Sequence, residues 1–211
     1  MIINYHGHAC FTLKTSSNIT LIFDPFGDIG YNLGQISADY AIISHSHYDH
    51  NNVSAVSNLK GIILNGDFAL DDLTVKSVKT YHDTKQGALR GENFIHIVNV
   101  DGLKIVHLGD FGEDVALANL SFLDNTDILF IPVGGTYTID ALSAKKIVDL
   151  FNIKMVIPMH FKTPSSTVDV DDLDKFTDLF SDGLIFNTDN GFNINDLPKG
   201  KKIVIFDYKN F

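Results

Sequence analysis

Short apolar runs broken by polar turns fill the first half of the chain, and strand and helix patterns alternate in the second. Residues 2–5, 9–13 and 20–24 read as three strands, with Ser16-Ser17-Asn18 as the turn between the latter two. Pro25 biases Asp24 toward extended backbone and stops the third strand. Residues 40–43 are a fourth apolar run. Residues 51–58 fit a short helix capped by Asn51 or Asn52, residues 61–64 a buried strand, and residues 65–72 a turn-rich break before the long strand 73–81. Strands 94–98 and 103–109 flank Asp101-Gly102, a two-residue hairpin signal.

Beyond these, residues 115–123 read as a helix and 127–133 as a buried strand turned by Gly134-Gly135. Asp140 caps a helix running to Phe151, with Ala144, Ile147, Val148 and Phe151 on one face. Strand 154–159 follows. A helix begins at Asp169 or Asp171, carries Leu173, Phe176 and Phe180, and ends at Gly183; strands 184–187 and 202–206 close the chain. No change of composition marks a linker, so one domain over residues 1–211 is expected.

Hydrophobic residues make up 45% and charged residues 20% of the 211 positions, the balance of an ordinary soluble globular protein. No apolar stretch approaches the ~20 residues of a membrane span, and Met1-Ile2-Ile3-Asn4 opens a strand rather than a signal peptide. The single cysteine, Cys10, excludes an internal disulfide and points to a reducing, cytoplasmic setting. A net charge of −10 disfavours a nucleic-acid surface, which needs clustered lysine and arginine. It leaves room for a small-molecule substrate, and oligomeric state stays open.

The pattern changes character at Ser44-His45-Ser46-His47-Tyr48-Asp49-His50, directly after the apolar run 40–43. In extended backbone, side chains at i and i+2 share a face, so His45 and His47 can reach one metal ion together. A turn at Tyr48 then aims Asp49 and His50 at a second point. Three imidazoles and a carboxylate this close together point to a metal site rather than a solvated loop.

His-x-His-x-Asp-His after a buried strand resembles the signature of the metallo-β-lactamase superfamily. That family pattern asks for a distant histidine, an aspartate after a later strand and a last histidine after another; His82, Asp110 and His160 match in order, each at the end of a strand pattern. Gly7-His8-Ala9, Phe23-Asp24-Pro25-Phe26, Val133-Gly134-Gly135-Thr136-Tyr137 and Ile157-Pro158-Met159-His160 resemble the small branch containing ascorbate-6-phosphate lactonase-like proteins. The resemblance implies an α/β (α+β) fold, the four-layer αββα sandwich. It also implies that His45, His47 and His82 hold one ion, that Asp49, His50 and His160 hold a second, and that Asp110 bridges them. All seven donors are imidazoles or carboxylates, which suits borderline-hard divalent ions without choosing among them; Zn²⁺ is the first expectation, with Mn²⁺ or Fe²⁺ open. The implied enzyme is a hydrolase that uses a metal-bridging hydroxide on a small ester, lactone or phosphodiester, with Asp49 exchanging a proton. Two alternatives stand beside it: a mononuclear-iron enzyme resembling the persulfide dioxygenases, and a non-catalytic metal-binding protein.

Further residues carry narrower expectations. By the resemblance, Asp24 orients a ligand histidine from behind the site, against the alternative of an exposed turn. His8 does similar work, lines the pocket, or is a satisfied structural histidine; His96 and His107 read as structural. Fifteen of the sixteen basic residues are lysine and one is arginine, Arg90, in the polar segment between His82 and Asp110. A position that keeps arginine calls for a planar two-pronged donor, against the alternative of an ordinary surface side chain. Arg90, Asn93 and Tyr137 are therefore candidate substrate contacts.

Overall fold

The computed structural model describes residues 1–196 and 199–208. In chain order the strands are β1 (Ile2–Gly7), β2 (Cys10–Lys14), β3 (Thr20–Phe23), β4 (Ile36–Ser37), β5 (Tyr40–Ile42), β6 (Val56–Ser57), β7 (Gly61–Ile63), β8 (Phe68–Leu70), β9 (Leu73–Tyr81), β10 (Glu92–Val100), β11 (Leu103–His107) and β12 (Thr126–Pro132). Helix α1 (Ala141–Leu150), β13 (Ile153–Met159), helix α2 (Asp174–Thr177), β14 (Ile185–Thr188), β15 (Phe192–Asn193) and β16 (Lys202–Phe206) complete them.

Two mixed sheets stack face to face. One has the order β15-β1-β2-β3-β5-β7 and the other β14-β16-β13-β12-β11-β10-β9-β8. Alternation along β1 turns Ile3 and Tyr5 inward, while β12 from Ile128 and β13 from Met155 are buried on both faces, as their apolar runs require. Phe11 on β2 meets Phe130 on β12 with ring centroids 4.4 Å apart, and Phe23 stacks on His107 at 5.0 Å. These contacts join the inner faces of the two sheets.

Helix α1 links the parallel strands β12 and β13 and buries Ala141, Ala144, Ile147 and Val148, with Asp140 accepting the Ser143 N–H at 2.8 Å as its cap. The first sheet's outer face, through Cys10, Ile22, Ala41 and Ile43, packs on Phe26, Ile29 and Ala38 of the loop after β3. That layer is loop, 3₁₀ turn and the β4–β6 pair, so helix content is low. No helix among the described residues is long and apolar enough to cross a membrane.

Three expected helices are much shorter than the sequence suggests. Residues 51–58 form a 3₁₀ turn, Val53–Ala55, followed by β6. In 115–123 only Ser121–Leu123 is a 3₁₀ turn, because Asp114 and Asn119 side chains bond the N–H groups of Ala116 and Ser121 and supply local turns instead. The third helix starts only at Asp174: Asp171 and Asp172 are held in extended contact with Gly134 and Lys162. The stretch 65–72 contains β8, which pairs with β9 through a turn at Asp71-Asp72.

The topology fixes where chemistry can gather. Strands β1, β3 and β5 run the same way in the first sheet, as do β9, β11, β12 and β13 in the second. His8, Asp24, Ser44 to His50, His82, Asp110, Tyr137 and His160 all follow the C-terminal ends of these strands, so one edge of the sandwich collects them.

Candidate metal centre

β5 ends at Ile42, so His45 and His47 stand on the loop beyond the strand rather than on the strand itself. Their rings still meet, edge to face at 4.6 Å, and a turn closed by His50 N–H on the His47 carbonyl at 3.0 Å brings His50 back underneath. Ligand-capable atoms of His45, His47 and His82 lie within 4.8 Å of one another. So do those of His45, His50 and Asp110, and those of His8, Asp49, His50 and His160.

Asp110 is the hub. Its Oδ2 is 2.9 Å from His82 Nε2, 3.2 Å from His160 Nε2 and 3.9 Å from His45 Nε2, while Oδ1 is 3.2 Å from His50 Nε2. Asp49 is half-buried and touches only one side of this arrangement, with Oδ2 3.4 Å from His8 Nε2 and 3.8 Å from His50 Nε2.

A layer behind these residues fixes the tautomers. His50 Nδ1–H donates to Asp24 Oδ2 at 2.9 Å. Ser44 Oγ–H donates to the same oxygen at 2.6 Å, which leaves Ser44 Oγ to accept His45 Nδ1–H at 2.9 Å. His82 Nδ1–H donates to the Tyr137 carbonyl at 2.9 Å. In the neutral form of all three rings the proton therefore sits on Nδ1, and Nε2, which faces the centre, is the nitrogen able to offer a lone pair to a metal. Asp24 is fully buried and holds both His50 and, through Ser44, His45.

The backbone is bent to achieve this. Asp24 (φ 41°), His8 (φ 54°) and His160 (φ 54°) are non-glycine residues in the left-handed region, a strain of order 1 kcal/mol or more each. His8 stands in the turn between β1 and β2, and its carbonyl takes the His160 N–H at 2.9 Å, pinning two strained residues together. Gly109 and Gly134 are required for close approach: a Cβ on the first would strike Asn93 and Ser44, and one on the second would strike the His160 carbonyl.

Electrostatics favour a cation. Burial opposes ionisation of Asp110, yet His160 and His50 outweigh it and hold the carboxyl far below the usual range. Burial likewise opposes charge on His50 and His82, and Asp110 reverses the balance and raises both. His45 is pushed down to about 3 and His8 to about 4, by burial first and by neighbouring histidines next. Nε2 of His8, His45 and His50 and Oδ1 of Asp110 are buried without a hydrogen-bond partner. Unpaired buried donors and acceptors are costly; His45, His50 and Asp110 face one another, and His8 faces His50. Nitrogen and carboxylate donors without a thiolate, orphaned in these adjoining groups, fit divalent metal.

The centre opens into a cavity of about 410 Å³, lined by His47, Tyr48, Asp49, His82, Arg90, Asp110, Tyr137, His160, Thr167, Val168 and Asp169. Thr167 and Val168 carried no signal in the sequence, and Asp169 was read only as a helix start; all three lie on the loop after β13. Arg90 and Tyr137 line the cavity, with the guanidinium 5.4 Å from the Tyr137 ring centroid. Asn93 does not. It is wholly buried behind Asp110, donating to Thr80 Oγ1 and the Leu108 carbonyl and accepting the Asp110 N–H, each at 2.9 Å. Expecting it at the substrate corrects to a brace for Asp110, because a central-strand residue facing inward cannot reach the rim.

His96 and His107 lie outside the donor groups. His96 Nε2 meets the Ile43 carbonyl at 2.8 Å, and His107 Nε2 meets the Ala9 carbonyl at 3.1 Å.

Residues 2–160 match the family model described as a β-lactamase superfamily domain. A solved structure from Thermotoga maritima, described as a candidate Zn-dependent hydrolase of the metallo-β-lactamase superfamily, is 32% identical. It covers 97% of this chain and 97% of its own, with a TM-score of 0.76. A UPF0173 metal-dependent hydrolase from Carboxydothermus hydrogenoformans is 29% identical over 194 residues, covering 77% of this chain and 85% of the relative. A structure from Parabacteroides distasonis, 22% identical with a TM-score of 0.66 over 96% of this chain and 91% of its own, shares the fold.

Proposed function

Because the chain belongs to the metallo-β-lactamase superfamily and is one of its metal-dependent hydrolases, we propose that it acts as a single domain with two divalent ions on a small ester, lactone or phosphodiester. His45, His47 and His82 would hold one ion and Asp49, His50 and His160 the other, with Asp110 within reach of both groups. Zinc is the first choice, with manganese or iron next. When bound, the ions supply an activated water and Lewis acidity toward a carbonyl or phosphoryl oxygen. The observation that carries this reading is the Asp110 carboxylate, which reaches members of both donor groups, His45 and His82 of one and His50 and His160 of the other.

The chain's own residues supply the rest. Asp49 stands at the cavity wall and moves a proton between water and leaving group. Asp24, Ser44 and the Tyr137 carbonyl keep protons off the Nε2 atoms that must donate electron pairs. Tyr137 and Arg90 form part of the wall against which substrate rests. Lactones lead the substrate panel, given the resemblance to the ascorbate-6-phosphate lactonase-like branch. The buried, unpaired Cys10 supports a cytoplasmic site of action.

The test is elemental analysis of protein purified without added metal and again after supplementation, paired with lactone, ester and phosphodiester assays on the same samples. Two ions per chain with hydrolysis in one class is the expected result. One ion at most after supplementation overturns the two-ion centre, and a fully loaded protein inert on every class overturns the substrate assignment.

A further inference from the structure

The segment between β9 and β10 is organised by one side chain. Asp83 follows His82, is 4% exposed, and accepts four backbone N–H groups. Lys85 (2.7 Å) and Gly87 (3.0 Å) bond Oδ1; Leu89 (3.0 Å) and Arg90 (2.8 Å) bond Oδ2. Gly91 closes the loop, its N–H on the Gly87 carbonyl at 2.9 Å and its own carbonyl taking the His82 N–H at 3.1 Å. The loop has little hydrophobic anchoring: Leu89, its largest apolar side chain, is 68% exposed. A buried carboxylate satisfied in this way sets the path of seven residues, and what the path delivers is Arg90.

Arg90 is the sole arginine of the chain and the one lysine or arginine lining the cavity. Its guanidinium rests over the Tyr137 ring, and among the described residues it meets no carboxylate and no hydrogen-bond acceptor. Tyr137 in turn receives His82 Nδ1–H on its carbonyl, so the residue that supports Arg90 also orients a metal-ligand candidate. A guanidinium carries five donors in a fixed fork suited to two oxygens of one oxyanion. All five are unspent, half-buried at the mouth of a metal centre, in a protein whose net charge of −10 otherwise repels anions. Asp49 and Asp169 line the same cavity, which makes Arg90 its one fixed protein cation.

We propose that Arg90 is an anion subsite beside the metal centre, that Asp83 is the positioning residue that presents it, and that the substrate carries a carboxylate or phosphate group separate from the bond that is cleaved. The inference rests on the metal-dependent reading only for where the cleaved bond lies. Binding at Arg90 is measurable without turnover, so its failure and the failure of the hydrolase assignment are separate events.

Because there is one arginine, protein labelled with ¹⁵N at arginine gives a single Nε–H resonance. Zinc-loaded protein is titrated with succinate, with succinamate, which keeps one carboxylate and replaces the other by an amide, and with 3-phosphonopropionate. Succinate is expected to move the Arg90 resonance saturably and to bind at least tenfold more tightly than succinamate. Tight binding of the phosphono compound as well assigns the subsite to either oxyanion, whereas succinate alone assigns it to carboxylate. Asp83→Asn should weaken succinate at least tenfold with zinc content unchanged. Arg90→Lys, followed by calorimetry, should bring the succinate-to-succinamate ratio close to one, since an ammonium lacks the fork. Equal binding of succinate and succinamate by the parent, or an unchanged ratio in Arg90→Lys, overturns the subsite. Parent-like binding by Asp83→Asn removes Asp83 from the proposal.

Discussion

Asp24 Oδ2 lies 2.9 Å from His50 Nδ1, and the same oxygen receives the Ser44 hydroxyl, whose own oxygen meets His45. One buried carboxylate therefore decides which nitrogen is bare on two candidate ligands of different ions. Burial opposes its charge, but the His50 hydrogen bond and the surrounding histidines hold the carboxyl down at about 2.

Asp24→Asn keeps the shape and removes one acceptor. Three donors point at Asp24: Ser44 N–H on Oδ1, and Ser44 O–H and His50 N–H on Oδ2. Whichever way the amide turns, its NH₂ faces a donor. With the amide against His50, the imidazole proton is driven to Nε2, where it blocks the ligand lone pair. Metal affinity should fall about 10–100-fold, measured by chelator competition. A change under threefold would show that ligand orientation comes from elsewhere.

His96 supplies a pH prediction independent of metal ligation. It is fully buried, and burial pushes it down to about 4, so the folded protein keeps it neutral where the unfolded chain, near 6.5, protonates it. Between pH 6.5 and 4 the unfolded state binds more protons, so stability rises with pH across that window and is lost as pH falls through it. His96→Gln retains a donor for the Ile43 carbonyl without titrating. In chelator-treated protein, urea unfolding at pH 7 and pH 5 should show the parent losing roughly 2 kcal/mol more than the variant. Equal losses would mean that His96 carries no proton linkage.

Much of this site was legible because its donors sit where apolar runs stop. Asp110 and His160 each follow a largely apolar strand and His82 follows one in which apolar and polar residues are interleaved, and parallel strands bring such ends to one edge. The hairpin at Asp101-Gly102 was readable for a similarly local reason: both residues have positive φ, 54° and 72°, and Val100 pairs with Leu103. Tertiary demands were not readable. Nothing local reveals that His8, Asp24 and His160 adopt left-handed backbone, or that His8 Nε2 joins Asp49, His50 and His160. The helical periodicity of residues 169–183 was real in Leu173, Phe176 and Phe180, yet contacts of Asp171 and Asp172 with distant residues cut the helix to α2. Those contacts leave Asp169, one of the two expected helix starts, on the cavity wall beside Thr167 and Val168, which lie before the helical pattern.

Asp49→Asn tests the proton-transfer role. Its carboxylate faces His8 and His50 from the cavity side, and the amide preserves its size while removing the charge and the titrating proton. Turnover of whichever substrate class proves active should fall about 10²–10⁴-fold. Metal content is to be measured on the same preparation, because loss of a ligand oxygen lowers occupancy as well. Near-parental turnover at full occupancy would take proton transfer away from Asp49.

Asn93 separates bracing from substrate contact. Its amide bonds Thr80 Oγ1, the Leu108 carbonyl and the Asp110 N–H, so it ties β9, β10 and the end of β11 together immediately behind the shared carboxylate. Asn93→Ala strands the Leu108 carbonyl and the Asp110 N–H in a dry interior, at about 1–3 kcal/mol for each unsatisfied group. Thermal stability should drop, and metal content should drop with it as Asp110 loses its backbone anchor. Asn93→Asp keeps an acceptor for the Asp110 N–H but loses both donors, and it sets a second carboxylate beside Asp110. It should be no better tolerated. A residue touching substrate would behave in the opposite way, with KM raised while melting temperature and metal content stayed at parental values. That outcome would return Asn93 to the cavity wall; loss of stability together with metal places it behind Asp110, where its three hydrogen bonds already account for every polar atom of its side chain.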